Sequence, residues 1–225
     1  MRTVIYIDGF NLYYRMLKRA PEYKWINLKV LAEQVLDPSN DVIGVNYYTA
    51  RVSARVNPRG PRNQQVYLDA LATVPEIQVH FGNFQVNKAY APIVGNASAK
   101  PVFLPQPTTA TLDPWPDVVR IMKTEEKGSD VNLGSHLVRD AFQDKFDVAA
   151  VITNDTDLVE PIRIVTQEVG KKVGVLSPVS RTAGSLQSVA SFVRHIRPAH
   201  LLAAQFPDPL PRNPESDLVK PVEWV

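Results

Sequence analysis

The stretch VAAVITNDTD, residues 148–157, decides the fold class of this chain. Its first six residues are almost entirely apolar, which is typical of a strand buried on both faces of a parallel sheet. Polar residues follow at once, so Asp155 comes just after a buried strand. We therefore interpret residues 148–153 as the central strand of a parallel sheet.

Strand and helix patterns alternate on both sides of this strand, which is the order expected of βαβ units. Apolar runs and period-two alternation predict strands, and apolar residues at helical spacing predict helices. The predicted strands are residues 4–7, 42–52, 77–86, 118–122 and 172–176, and the predicted helices are residues 27–36, 63–72, 130–143 and 158–169. We expect an α/β fold with a mostly parallel sheet. Residues 186–193 and 199–204 complete this fold.

The length of 225 residues suits one α/β domain with extensions. We assign residues 1–204 to this domain and residues 205–225 to a proline-rich C-terminal tail without a core of its own. Residues 88–116 contain six of the 19 prolines and little periodicity, so we interpret them as a proline-rich insertion. Both a substrate-contacting flap and a plain surface elaboration are compatible with this insertion.

The composition excludes several classes of function. The absence of cysteine excludes disulfides, thiolate catalysis and iron–sulfur ligation, and it fits a cytoplasmic protein. Asp8 interrupts the first apolar run long before the length of a signal peptide or membrane span, so we expect no membrane partner. Four histidines argue against zinc, whereas 23 acidic residues permit oxygen ligation of Mg²⁺ or Mn²⁺. Because the net charge is only +2, any basic surface for a nucleic acid must be local.

Three predicted elements bring a carboxylate to the same edge of the sheet. Asp8 follows the first strand, Asp155 follows the central strand, and Asp130 opens the helix after residues 118–122. Ligands of open parallel sheets bind outside the carboxyl ends of the strands. Each aspartate alone could cap backbone N–H groups, but clustered carboxylates repel one another unless a cation neutralises them. The clustering therefore favours a functional site over three separate caps.

Three short motifs resemble those of the NYN family, a branch of the PIN-like nucleases. They are YIDGFN at residues 6–11, KGSD at residues 127–130 and TNDTD at residues 153–157, and the resemblance spans roughly residues 3–178. It implies a Rossmannoid PIN-like three-layer fold, a divalent metal, and hydrolysis of RNA phosphodiester bonds.

The same motifs imply a set of site residues. The metal ligands would be Asp8, Asp130, Asp155 and Asp157, with Mg²⁺ or Mn²⁺ as the cofactor, and Asn11 and Lys127 would join them as catalytic residues. From its spacing alone, Asn11 is equally well explained as a second helix cap.

The chain departs from the family pattern at His136, where many relatives carry an acidic residue. Because an imidazole titrates near neutrality, His136 is a candidate for a variant ligand or a proton carrier as well as for a structural residue. Asp140, one turn further along the predicted helix, either supplies the missing charge or faces solvent. Whether His136 or Asp140 completes the metal site therefore stays open.

Two groups of side chains are candidates for contacting a nucleic acid. The arginines near the end of the second strand suit phosphate contacts, although they could simply be solvated; they are Arg51, Arg55, Arg59 and Arg62. Several tyrosines could stack on bases or lie in the core, namely Tyr13, Tyr14, Tyr47 and Tyr48.

These observations together predict a metal-dependent ribonuclease in which activated water attacks the phosphodiester. RNA is the expected partner, DNA stays open as a substrate, and a homo-oligomer is compatible with the sequence. The alternative is a catalytically weak or inactive RNA-binding module of the same fold, which the changed residue at His136 supports. A haloacid-dehalogenase phosphotransferase would need an aspartate where the chain has Phe10, and a dinucleotide-binding oxidoreductase would need Gly-x-Gly-x-x-Gly after the first strand.

Overall fold

A seven-stranded sheet forms the centre of the computed structural model, which describes residues 1–54, 57–92, 118–212 and 214–225. The strands are β1 (Arg2–Asp8), β2 (Asp41–Ala50), β3 (Ile77–Pro92), β4 (Val118–Lys127), β5 (Val148–Ile152), β6 (Lys172–Ser177) and β7 (Phe192–His195). Their order in the sheet is β4-β3-β2-β1-β5-β6-β7. Every pairing from β3 across to β7 is parallel. The predicted α/β class with a mostly parallel sheet is confirmed.

Helices connect the strands. The α-helices in the described ranges are α1 (Gly9–Leu12), α2 (Leu28–Val35), α3 (Gly60–Leu71), α4 (Ser129–Phe142), α5 (Val159–Arg163), α6 (Gly184–Val189) and α7 (Pro198–Ala203). Short 3₁₀ segments lie at Pro21–Tyr23, Thr156–Leu158 and Val222–Trp224, and π-helical turns lie at Tyr13–Leu17 and Ile164–Glu168. None of the helices in the described ranges combines the length and apolar content needed to cross a bilayer.

The side chains of β1 alternate between two cores on opposite faces of the sheet. Ile5 and Ile7 pack in the core that includes residues of α2, α3 and α7. Val4 and Tyr6 pack in the core that includes residues of α4, α5 and α6. All five residues of β5 are buried, because this strand also lies between both layers. The helix–sheet–helix arrangement is the three-layer fold that the sequence predicts.

The structure corrects several predicted element bounds. Strand β3 continues through residues 88–92, which the sequence analysis assigned to the insertion, because polar residues and a final proline hide the strand pattern there. Strand β4 continues to Lys127 instead of ending at Met122. The predicted helix at residues 158–169 is divided into 3₁₀, α and π turns. Strand β7 was missed because it is only four residues long and half exposed.

The chain divides into two compact units, Met1–Phe84 with Glu126–Val225, and Gln85–Glu125. The smaller unit contributes the adjoining ends of β3 and β4 to the described residues. The remainder of the predicted insertion, residues 93–116, lies outside the described residues. All the predicted metal ligands belong to the larger unit.

The C-terminal tail adds apolar side chains to the core of the larger unit. The buried ring of Trp25 contacts the rings of Phe206 and Trp224, at centroid distances of 5.8 and 6.4 Å. Glu223 forms an ion pair with Arg59 of the segment before α3, with 2.8 Å between the charged atoms. The described residues of the tail lie outside the sheet, and these contacts attach it to the domain.

We expect Gly134→Ala to lower the free energy of unfolding, because overpacking typically costs about 1–3 kcal/mol. Gly134 lies inside α4, where an added Cβ would stand 2.7 Å from Cγ of Pro161 in α5. The higher helix propensity of alanine, about 1 kcal/mol over glycine, works in the opposite direction. Gly184→Ala is the matched control, because a Cβ there meets no atom within 4 Å. Urea unfolding measures both variants, and a Gly134→Ala protein more stable than the wild type would contradict the packing described.

Candidate functional site

Asp8 ends β1 with a buried carboxylate whose two oxygens have different partners. The side chain is 4% exposed. Its Oδ1 accepts a hydrogen bond from the backbone N–H of Asn11 at 2.9 Å, which caps α1. Its Oδ2 accepts a hydrogen bond from Oγ1 of Thr153 at 3.2 Å, just beyond β5. Asp8 therefore connects the carboxyl ends of two neighbouring strands.

Gly9 permits the close turn that follows Asp8. A Cβ at this position would lie 2.5 Å from the backbone oxygen of Tyr48 and 2.6 Å from a ring carbon of Tyr47. Backbone on the neighbouring strand cannot move aside as a flexible side chain can. Only glycine therefore lets the chain pass β2 at this point and begin α1.

Asn11 fixes the loop that carries Asp155. Its Oδ1 accepts a hydrogen bond from the backbone N–H of Asn154 at 3.1 Å. Oδ1 of Asn154 in turn accepts one from the backbone N–H of Ala183 at 2.9 Å. Oδ1 of Asp155 accepts one from the backbone N–H of Asp157 at 3.0 Å and so caps the following 3₁₀ turn.

These side chains line one cavity of about 310 Å³. Its lining consists of Asp8, Phe10, Asn11, Tyr14, Arg15, Ser129, Asp130 and Asp155. The structure thus brings four of the six predicted site residues together. The other two, Lys127 and Asp157, have exposed side chains and are not part of this lining. We call this cavity the carboxylate pocket.

The carboxylate pocket offers the oxygen donors that hard cations prefer, since three carboxylates and an amide line it. Within the described residues, however, no group of three or more His, Asp and Glu side chains is arranged so that it could hold a metal ion. The expected cluster of Asp8, Asp130 and Asp155 is therefore not preassembled. One physical reason is that Asp8 and Asp155 each direct an oxygen to a backbone N–H.

Asp140 and His136 lie on α4 but outside the lining of the carboxylate pocket. The buried Asp140 carboxylate accepts hydrogen bonds from Tyr6, Arg139 and Lys145. Burial favours its neutral form, but the hydrogen bonds from Lys145, Arg139 and Tyr6 outweigh burial and lower the pKa of Asp140. These contacts give Asp140 a structural role instead of the solvent-facing or metal-completing roles considered from the sequence.

His136 belongs to a cluster of three rings. Its Nδ1 lies 3.0 Å from the hydroxyl of Tyr48, and its ring meets that of His80 edge-on at 4.8 Å. Tyr48 and His80 stack at 4.8 Å. Burial lowers the pKa of both histidines, and for His136 the charge of Arg139 is the next cause. The neutral imidazoles fit a structural cluster.

Some of the side chains predicted to contact a nucleic acid already have partners within the protein, and others are exposed to solvent. Arg51 donates to Gln65, and Arg59 pairs with Glu223. Arg62 is exposed, and Arg55 lies outside the described residues. Tyr48 is buried, so it belongs to the core. Burial is the main cause that raises the pKa of Tyr47 to about 12, and the charge of Asp8 contributes to the rise.

Several residues of the site were not singled out from the sequence. Arg15 and Ser129 line the carboxylate pocket, and Thr153 and Asn154 position its carboxylates. Arg15 lies four residues after Asn11, which places both on one face of a helical turn, and this spacing is a usable signal. The hydrogen bonds of Thr153 and Asn154 depend on tertiary contacts that the sequence does not display.

A family model described as the NYN domain matches residues 2–196 of the chain. The chain belongs to the NYN domain family. This confirms the resemblance found in the three motifs, and it places the chain in the superfamily of PIN-like nucleases at a coarse level.

This NYN protein is similar to a protein of named activity and to a solved structure. It is 31% identical to 6-hydroxy-3-succinoylpyridine 3-monooxygenase of Pseudomonas putida (strain DSM 28022 / S16) over an alignment of 249 residues. This alignment covers 100% of this chain and 75% of that protein. A crystal structure of a protein of unknown function from Vibrio parahaemolyticus matches with a TM-score of 0.50 at 16% identity, over 88% of this chain and 93% of that one. The second likeness concerns the fold alone.

We expect acid to destabilise this NYN domain through His80 and His136. Their pKa values are lowered in the folded state by burial, so the unfolded chain binds protons more readily. Their contribution to stability is therefore present above the ordinary histidine pKa of about 6.5 and is lost as pH falls below it. The charges facing the pair are Arg139, Asp140 and Lys145.

Melting temperatures measured from pH 7.5 to pH 5 test this expectation. The double variant His80→Gln, His136→Gln should show a shallower decline than the wild type. His195→Gln is the control, because His195 is exposed and lies on β7, away from this cluster. Equal slopes in the wild type and the double variant would contradict the assignment.

Proposed function

We propose that this protein is a metal-dependent ribonuclease that hydrolyses phosphodiester bonds at the carboxylate pocket. The observation that carries the proposal is the burial of Asp8 beside Asp130 and Asp155 in one cavity. Carboxylates gathered in a partly desolvated space repel one another, which lowers stability in the absence of a cation. We therefore infer that the negative charge of the three carboxylates has a function, which is to bind a cation.

We infer that the cation enters together with the substrate. Mg²⁺ keeps several waters and is usually bound by one or two carboxylates plus the phosphate oxygens of the substrate. A pocket with three carboxylates but no preassembled three-ligand group suits this mode of binding. Asp130 and Asp155, with Asp8 behind them, would hold the ion. A bound Mg²⁺ or Mn²⁺ would supply a water of lowered pKa and stabilise charge on the phosphate.

The side chains around the carboxylates have defined tasks in this proposal. Thr153 and the N–H of Asn11 hold the Asp8 carboxylate in one orientation. The Asn11 amide holds the segment that presents Asp155. Arg15 lines the same pocket with an exposed side chain, which suits contact with a non-bridging phosphate oxygen. Asp157 and Lys127 lie outside the lining, and their catalytic roles stay predictions.

A second candidate function follows from the named relative. The Pseudomonas putida protein is named as a monooxygenase of a pyridine compound, and the present chain has a cavity of about 330 Å³ with many aromatic side chains, which suits a flat ring. Monooxygenation requires dioxygen and a reductant, and no Gly-x-Gly-x-x-Gly follows β1. Consumption of 6-hydroxy-3-succinoylpyridine with dioxygen and a reduced nicotinamide would favour this candidate over the nuclease.

We expect Asp130→Asn and Asp155→Asn to reduce cleavage of single-stranded RNA by at least about 100-fold, because loss of even an outer partner of a metal ligand costs about 10–100-fold. The amide keeps the shape of the side chain but removes the charge that binds a hard cation. Without metal, Asp155→Asn should melt at the same or a higher temperature than the wild type, because it relieves repulsion while an amide oxygen can still accept the hydrogen bond from the backbone N–H of Asp157.

The assay follows a labelled RNA with Mg²⁺ or Mn²⁺, with and without a chelator. Asp41→Asn is the matched control, since Asp41 is exposed at the start of β2, at the opposite edge of the sheet. Undiminished cleavage in excess chelator or in both pocket variants would refute the metal mechanism. No cleavage by the wild type with tight RNA binding would favour the inactive RNA-binding module.

A further inference from the structure

A second cavity, which we call the aromatic cavity, has a volume of about 330 Å³. Six aromatic side chains contribute to its lining: Phe10, Tyr13, Tyr14, Tyr47, Tyr67 and Trp224. They come from the helical turns after β1, from β2, from α3 and from the C-terminal tail. Two of these rings are open to solvent and are therefore not explained by core packing.

Tyr13 and Tyr14 expose 37% and 55% of their surface, although both lie against the cavity. Their rings meet edge-on at 5.4 Å, and the ring of Tyr14 stacks on Phe10 at 6.3 Å with an interplanar angle of 21°. Solvent-exposed aromatic rings are the side chains on which proteins stack unpaired bases. Of the remaining rings, that of Tyr67 is buried and those of Phe10, Tyr47 and Trp224 are half-buried, and they form an apolar wall of the cavity.

Cations and amides complete the lining. Nζ of Lys18 lies 4.9 Å from the centre of the Tyr14 ring, and Nζ of Lys24 lies 5.5 Å from that of Tyr13. Both lysines line the cavity. Asn57 lies at the wall, where its Oδ1 accepts a hydrogen bond from the backbone N–H of Arg59 and its NH₂ group can donate to the edge of a base. Stacking faces, an edge-reading amide and two cations are together the chemistry that recognises a nucleotide.

The two cavities share part of their lining. Phe10 and Tyr14 line both the aromatic cavity and the carboxylate pocket. A ligand that places a ring in the first therefore has its next covalent groups beside the second. In a polynucleotide, those groups are the sugar and the phosphodiester.

We propose that the aromatic cavity binds the base of the nucleotide next to the scissile phosphate of a single-stranded RNA. This inference rests on the proposed nuclease function and extends it to the substrate class. A base must leave its stack to enter such a cavity, so single-stranded segments are preferred over duplexes. Trp224 forms part of the wall, and the ion pair of Glu223 with Arg59 holds that residue in place.

Metal-free binding separates this proposal from the catalytic one. A fluorescein-labelled single-stranded RNA hexamer is titrated by anisotropy in the presence of a chelator, and AMP and ribose 5-phosphate are compared as competitors. AMP should compete and ribose 5-phosphate should not at the same concentration, because the latter lacks only the base.

Tyr13→Leu should weaken hexamer binding by at least about 5-fold, in line with the loss of one stacked base. Tyr13 lines the aromatic cavity but not the carboxylate pocket. Phe142→Leu is the matched control, since Phe142 is an exposed aromatic residue at the end of α4. Trp224→Leu, at the wall of the aromatic cavity, should also weaken hexamer binding.

The outcomes distinguish failure of this inference from failure of the nuclease proposal. Equal competition by ribose 5-phosphate, or equal affinity of Tyr13→Leu and the wild type, would overturn the base site even if RNA is cleaved. Base-dependent binding that Tyr13→Leu weakens would support the site even if no RNA is cleaved. Asp41→Asn, at the opposite edge of the sheet, should retain metal-free hexamer binding, and a loss as large as that of Tyr13→Leu would also contradict a specific base site.

Discussion

The arrangement of the site depends on the buried Asp8 carboxylate. Its two oxygens connect the end of β1, the start of α1 and Thr153 beyond β5. Because β1 and β5 are neighbours in the parallel sheet, these hydrogen bonds fix the positions of the loops that follow both strands. Asn11 continues it by binding the backbone of Asn154, so the loop with Asp155 has a defined position. The geometry of the site is therefore a consequence of hydrogen bonds at the carboxyl edge of the sheet.

Several negatively charged carboxylates lie at the same edge of the sheet, which suits the binding of a cation. Asp8, Asp130 and Asp155 line one cavity, whereas Asp140, on the same helix as Asp130, lies outside it and pairs with Arg139 and Lys145. The gathering of three carboxylates in one pocket supports the proposal of a cation that is brought with the negative phosphate of a substrate.

The sequence predicted the fold well because the pattern of the parallel sheet is strong. Residues 148–152 are apolar throughout, and the structure buries β5 on both faces. Short or exposed strands such as β7 carry a weak pattern and were missed. At the site, the strand ends identified Asp8 and Asp155, but side-chain contacts were beyond prediction. His136 and Asp140 illustrate this, because their partners Tyr48 and Tyr6 come from strands about 90 and 130 residues away in sequence.

The central claim is that the carboxylate pocket binds a divalent cation together with a phosphodiester. Electron paramagnetic resonance of free Mn²⁺ measures this directly, at a temperature where cleavage is slow. The account predicts that a single-stranded RNA hexamer increases Mn²⁺ binding by the wild type and that Asp130→Asn loses this increase, whereas Asp41→Asn keeps it. Identical Mn²⁺ binding by the wild type and Asp130→Asn in the presence of the hexamer would contradict the account.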